Sequence, residues 1–237
     1  MIAPTVHQQL QRADVLQLIS AIGRADRAAA GDAAAALERG EVDAVLDAPA
    51  AVEAVRGHGG APAPVSILLL WYVPVRASLL AHDQRSIGVA DFTATVPIAF
   101  LREPAGPARG TGEHVSEWIR AVESLPRGTM ARAERASRIG VRALWWTGCF
   151  PGHLRDRYGA GARRAFLELA ATMLHEAAGI VANRAPDLAD LYVRAARQVE
   201  LLSDVLHEVS LEYIGAEAHT ARGRIDRYLS RLEGEAA

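Results

Sequence analysis

Lysine is absent from this chain of 237 residues, and all 26 of its basic side chains are arginine. That absence removes the phosphate lysine of P-loops, the strand lysine of kinases, and any Schiff base to pyridoxal phosphate or a carbonyl substrate. Cysteine occurs once, at Cys149, which excludes intrachain disulfides and zinc or iron–sulfur sites built from several thiolates. Aromatic residues make up only 5% of the chain, so its core must be built mainly from Leu, Val, Ile and Ala. Long apolar runs are missing too. The longest, Ile67 to Val73, falls far short of the ~20 residues needed to span a bilayer, so no membrane insertion is expected. The stretch Met1 to Asp14 lacks a basic region followed by an apolar run, and a cytoplasmic location is the expectation. Arginine and alanine in place of lysine and asparagine follow from GC-rich codons, which points to a bacterial source.

What is present favours helix. Leu, Ala, Arg and Glu lose little side-chain entropy on entering a helix. Val15, Leu18, Ile19 and Ile22 recur at helical spacing and predict a helix from about Thr5 to Ile22. A second helix is expected over residues 28–39. Asp47 ahead of Ala48-Pro49 reads as the N-cap of another, which runs to Arg56. Residues 66–81 are apolar on nearly all sides, with Pro74 predicting a kink or an early stop. Residues 89–101 suit either a strand, by alternation of Phe92, Ala94, Val96 and Ile98, or a helix, by Val89, Phe92, Val96 and Phe100. With no second strand to pair with, helix is the choice. Gly- and Pro-rich residues 102–112 form a linker between an N-terminal helical half (1–101) and a C-terminal one (113–237), unless the two make one continuous domain.

In the second half, helices are expected over residues 115–125, from a cap at Thr129 to Thr147, over residues 162–178, and over residues 219–232. Residues 150–161 read as irregular. Leu188, Tyr192, Ala195, Val199, Leu202, Leu206, Val209 and Tyr213 are separated by alternating steps of four and three. That seam predicts one long helix between Pro186 and Gly215. The fold expectation is therefore all-α, a compact multi-helix bundle with one long heptad-patterned C-terminal helix.

Charge is the strongest functional signal. Residues 127–164 hold nine arginines against Glu134 and Asp156, and residues 166–217 hold nine acids against three arginines. Arg132, Arg135, Arg138 and Arg142 step by three, three and four along one helical face. With Arg155 and Arg157 they are candidates for binding an anion or an acidic partner, because guanidinium forks match such oxygens. The competing reading pairs them with acids of the neighbouring helix. A net charge of −2 argues neither for nor against nucleic acid, which is a minor branch of this reading and not the expected partner. A protein partner, or self-association through helices as a homodimer, is the expectation.

Two enzymatic alternatives stand beside that reading. Trp71, Arg76, Trp145 and Trp146 supply the aromatic mass and positive charge for a helix-lined ligand pocket. His175, Asp204, His207 and Glu208 approximate the Glu-x-x-His pattern of di-metal helical bundles, with Asp204-x-x-His207 as one partial instance. They would make a metal-dependent oxidase. Cys149 has only His153 nearby in sequence and reads as a small buried hydrophobe. No motif calls for a cofactor.

The segments Ser66–Leu80 (SILLLWYVPVRASLL), Val89-Ala90-Asp91-Phe92, Gly148-Cys149-Phe150-Pro151 and Arg157-Tyr158-Gly159-Ala160-Gly161 resemble an all-helical bacterial protein family with no known activity. The resemblance implies a helical fold and supports helix over residues 89–101. The sequence departs from the family pattern near Trp145-Trp146.

Overall fold

The computed structural model describes residues 6–57, 65–101 and 115–214. Among these residues there are thirteen helices and no strand. The helices fall into two compact units. Of the described residues, the N-terminal unit takes 6–57, 65–94 and 208–214, and the C-terminal unit takes 95–101 and 115–207.

In the N-terminal unit the helices are α1 (Val6–Gln9), α2 (Arg12–Ala25), α3 (Arg27–Glu38), α4 (Val42–Leu46), α5 (Pro49–Arg56), α6 (Ile67–Ala81) and the first half of α7 (Ile87–Leu101). The single helix expected over residues 5–22 is in fact α1 and α2. The Asp14 carboxylate accepts the Gln11 backbone N–H at 2.8 Å, so a capping box starts a new helix at Arg12. Val15, Leu18 and Ile22 are buried as their spacing predicts, and Ile19 sits at the edge of the stripe. Pro74 does not stop α6, which continues to Ala81. Residues Leu69 to Val73 are all buried, as befits a helix apolar on every side. Residues 89–98 are likewise buried in α7, confirming helix over strand there.

The C-terminal unit holds the remainder of α7, then α8 (Val115–Glu123), α9 (Met130–Cys149), α10 (Pro151–Tyr158), α11 (Ala162–Val181), α12 (Pro186–Arg197) and the first half of α13 (Val199–Ile214). Thr129 caps α9 as expected, its Oγ1 accepting the Arg132 N–H at 3.3 Å. Helix α9 packs along α11 through small residues. A Cβ on Gly140 would sit 3.2 Å from the Ala170 carbonyl oxygen. At Gly148 the approach is closer, because a Cβ there would lie 2.5 Å from the Leu206 Cβ of α13.

Two expectations need correcting here. Residues 151–158, read as irregular because of their flanking glycines and proline, form α10. The long C-terminal helix is broken at Gln198 (φ −119, ψ 18), whose N–H bonds back to the Ala195 carbonyl while its own carbonyl accepts from Leu202. The seam residues Tyr192, Ala195, Val199, Leu202, Leu206 and Val209 are buried nonetheless. The linker 102–112 and the expected helix at 219–232 lie outside the described residues.

Candidate functional site

The N-terminal unit buries one arginine. Arg76 on α6 is buried, and its Nε and Nη2 donate to the two Asp47 carboxylate oxygens at 2.9 and 3.0 Å, with Nη1 on the Arg85 carbonyl. The hydrogen bond from Asp47 to the guanidinium, against the cost of burial, holds Arg76 above its ordinary value. Asp47 is therefore an ion-pair partner rather than the N-cap of α5, a position that falls to Ala48. Trp71 is fully buried. Trp71 is thus part of the core, and Arg76 is held by its ion pair.

A second polar cluster in the same unit was not legible in the sequence. The His7 N–H donates to Asp91 Oδ1 at 2.8 Å, so a carboxylate from α7 caps the start of α1 across 84 residues of chain. His7 Nε2 lies 2.8 Å from Asp43 Oδ1, and its ring centroid is 5.6 Å from that of Tyr72. Burial pushes the Asp91 carboxyl up, opposed by the backbone N–H groups of His7 and Val6. Burial also pushes the Tyr72 phenol up. The cluster ties α1 to α6 and α7.

The C-terminal unit divides its arginines. Arg132 is largely buried, with Nε on Glu176 of α11 at 2.5 Å and Nη1 on the Leu125 carbonyl at 3.0 Å. Arg163 similarly meets Asp204 of α13 at 2.5 Å. These two ion pairs are architecture. Arg135 and Arg138 are exposed, and Arg135 has no ion-pair partner among the described residues. The Arg142 guanidinium is held over the Phe100 and Trp118 rings, 5.6 and 5.7 Å from their centroids. Trp145 is buried against Phe100 and Phe150, whereas Trp146 is half-buried and stacks on His153 of α10 at 5.2 Å and 24°.

Arg155 and Arg157 are exposed on α10. Arg155 is 3.8 Å from Asp156, a loose contact, and Arg157 lies 5.4 Å over the exposed Tyr158 ring. Burial first, then the positive charge of Arg157, hold His153 below the ordinary histidine value, with Asp156 opposing. The residues of α9 at 135, 138, 142 and 146 thus run three, four and four apart, three arginines ending in a stacked tryptophan. Glu134 and Asp156 are the only acids on α9 and α10. Trp146 and His153 extend the arginine row beyond what charge counting finds. The signal was present for Trp146, four residues after Arg142, but not for His153, which only the fold brings to it.

The metal candidates are not assembled. His175 is exposed on α11, Asp204 is paired with Arg163, and His207 Nδ1 is 3.1 Å from the Gly148 carbonyl. Glu208 accepts the Ser78 hydroxyl at 2.6 Å. Among the described residues no three His, Cys, Asp or Glu side chains are grouped as a metal requires. Cys149 is buried, with its thiol inside the helical core.

One groove opens between α8, the start of α9 and α11, with a volume of about 450 Å³. Val115, Ile119, Val122, Leu169 and Met173 make its apolar floor, and the Arg132–Glu176 pair stands at its edge. No protein-family model, curated protein or solved structure matches the chain. Among the described residues no helix is long and apolar enough to cross a membrane.

Proposed function

We propose that this chain is a non-enzymatic interaction protein that binds an anionic partner on the exposed basic face of α9 and α10. The observation that carries the reading is the division of the arginines. Arg76, Arg132 and Arg163 are paired with carboxylates of other segments, whereas Arg135, Arg155 and Arg157 are exposed on α9 and α10. Solvated cations gathered on one face, with two acids among them, attract oxyanions and set the orientation of encounter. The reading places the protein in the bacterial cytoplasm. It takes a separate anionic partner rather than a homodimer, so light scattering should return the mass of one chain.

The test is retention on an immobilised sulfated polysaccharide at low salt. A chain of net charge −2 has no whole-molecule reason to be retained. Retention that is lost in Arg135→Glu/Arg157→Glu, with an unchanged melting temperature, is the expected result. Flow-through of the wild-type protein at about 50 mM salt, where the Debye length exceeds ~10 Å, defeats the reading.

The groove favours a second reading, a helix-lined site for a small apolar ligand. Its size lies within the roughly 300–1,000 Å³ of ligand pockets, and its floor is apolar with one ion pair at the edge. An apolar fluorescent dye should bind with one-to-one stoichiometry and be displaced by Met173→Trp, which fills the groove. Equal dye binding by the variant excludes this site.

A further inference from the structure

The groove between α8, the start of α9 and α11 has an apolar floor, and the charges at its rim differ in what they already hold. Arg132 is the only basic side chain that lines it, and its guanidinium is occupied by Glu176 and the Leu125 carbonyl. Glu168 is likewise taken, by Arg164 at 2.9 Å. That leaves Glu123. It lines the groove and is exposed, and its carboxylate has no hydrogen-bond or ion-pair partner among the described residues.

The position of Glu123 in the chain makes that carboxylate unfavourable. It is the last residue of α8, where the open carbonyls of a helix concentrate partial negative charge. An acid is disfavoured at such an end and a cation is favoured. Arg120, the one basic residue of that turn, donates Nε back to the Ser116 carbonyl at 3.2 Å instead. A negative end therefore stands beside a floor that includes the buried Val122, Leu169 and Met173.

We propose that the groove takes a small ligand with an apolar body and one cationic group, an alkylammonium, whose charge rests at Glu123 and the C-terminus of α8. The proposal rests on the reading of the groove as a ligand site and is independent of the basic face of α9 and α10. Ligands with a carboxylate tail are disfavoured. Glu123 repels them, and Arg132 would have to leave Glu176, a largely buried partner, to pair with them. An uncharged ligand fits the floor but gains nothing from the rim.

The experiment displaces Nile red, an uncharged apolar dye, from the intact protein with decylammonium, decan-1-ol and decanoate. Each is kept below its micellar concentration at neutral pH and low salt. Decylammonium should displace the dye at about threefold lower concentration than decanol, as contact with an exposed carboxylate at a helix end provides. Decanoate should need a higher concentration than decanol, and high salt should narrow both differences. Glu123→Gln should remove the preference for the ammonium while leaving decanol displacement and the melting temperature unchanged. Glu123→Arg should reverse the order of decylammonium and decanoate, which a merely structural role for Glu123 would not produce.

Equal displacement by the three ligands, with dye binding still blocked by Met173→Trp, overturns the cationic assignment and leaves the groove reading standing. A preference for decylammonium that survives Glu123→Gln also overturns it. Failure of the wild-type protein to bind the dye, or equal binding by Met173→Trp, overturns both.

Discussion

Arg76 and Arg135 carry the same guanidinium, yet the fold uses them in opposite ways. In the N-terminal unit Arg76 lies inside, held by both oxygens of Asp47 and a backbone carbonyl. In the C-terminal unit Arg135 is exposed, with no ion-pair partner among the described residues. Since the chain has no lysine, arginine serves as its only fixed cation, both for pairing and for display. The difference teaches that count and spacing along the sequence do not separate these roles. What separates them is whether the fold brings a carboxylate to the fork.

The comparison breaks first if Arg76 proves dispensable. Arg76→Ala removes a buried guanidinium and leaves the half-buried Asp47 without its partner, which should cost about 3 kcal/mol, the low end for a buried pair. Urea unfolding should show the midpoint falling with an unchanged slope. The matching change on the exposed row, Arg135→Ala, should stay within about 0.5 kcal/mol. A loss below about 1 kcal/mol for Arg76→Ala would make the inward pair as marginal as a surface one.

The next largest effect is at the helix contacts of the C-terminal unit. Gly148→Ala sets a Cβ 2.5 Å from the Leu206 Cβ, which belongs to the rigid root of that side chain and moves only with the backbone of α13. A loss of about 1–3 kcal/mol is expected from such overpacking, read as a lower melting temperature. Gly140→Ala meets the Leu174 Cγ at 3.0 Å and the Ala170 carbonyl at 3.2 Å, where a rotamer change relieves part of the strain. It should cost less than Gly148→Ala. The reverse order would show that α13 yields more easily than the Leu174 side chain.

Much of this architecture was legible in local pattern. The buried stripe of α2, the all-apolar α6, the cap at Thr129 and the helical state of residues 89–101 all follow from spacing and residue type. What escaped depends on distant partners. Asp47 has the chemistry of an N-cap and sits where one is needed, but Arg76, 29 residues away, takes its carboxylate instead. Asp91 caps α1 from another helix, and no window of sequence contains both ends of that bond. The break at Gln198 is marked by neither glycine nor proline. The basic face was half legible. The row from Arg132 to Arg142 is visible as a periodicity, while the withdrawal of Arg132 to Glu176 and the arrival of His153 on Trp146 are tertiary events.

A smaller effect probes the inward polar cluster by pH. Burial raises the Asp91 carboxyl above its unfolded value, so the folded state holds its proton more tightly than the unfolded state does. Stability from this group is therefore fully present below the unfolded pKa and declines as pH rises through the folded one. Asp91→Asn keeps an acceptor for the His7 N–H and removes the titration. The stability of the wild-type protein relative to Asp91→Asn should fall as pH rises from the ordinary carboxylate range, by on the order of 1 kcal/mol. A difference that stays flat with pH would show that the backbone donors fully offset the burial.

The smallest change in stability belongs to the exposed row, and it sharpens the comparison most. Arg135→Ala removes one exposed side chain with no ion-pair partner among the described residues, so the melting temperature should barely move, with an effect within about 0.5 kcal/mol. Anion binding, measured by the salt needed to release the protein from a polyanion, should weaken clearly in the same variant. Arg132→Ala should do the opposite. It uncouples α9 from Glu176 and lowers stability by about 1–3 kcal/mol, because a largely buried charge-assisted hydrogen bond is lost. Its effect on anion retention should be small, since that guanidinium is already occupied. Two adjacent positions of one helical row would then separate cleanly into support and display. If Arg132→Ala weakened retention as much as Arg135→Ala does, without loss of stability, the Glu176 pairing would not be what withdraws Arg132 from the row.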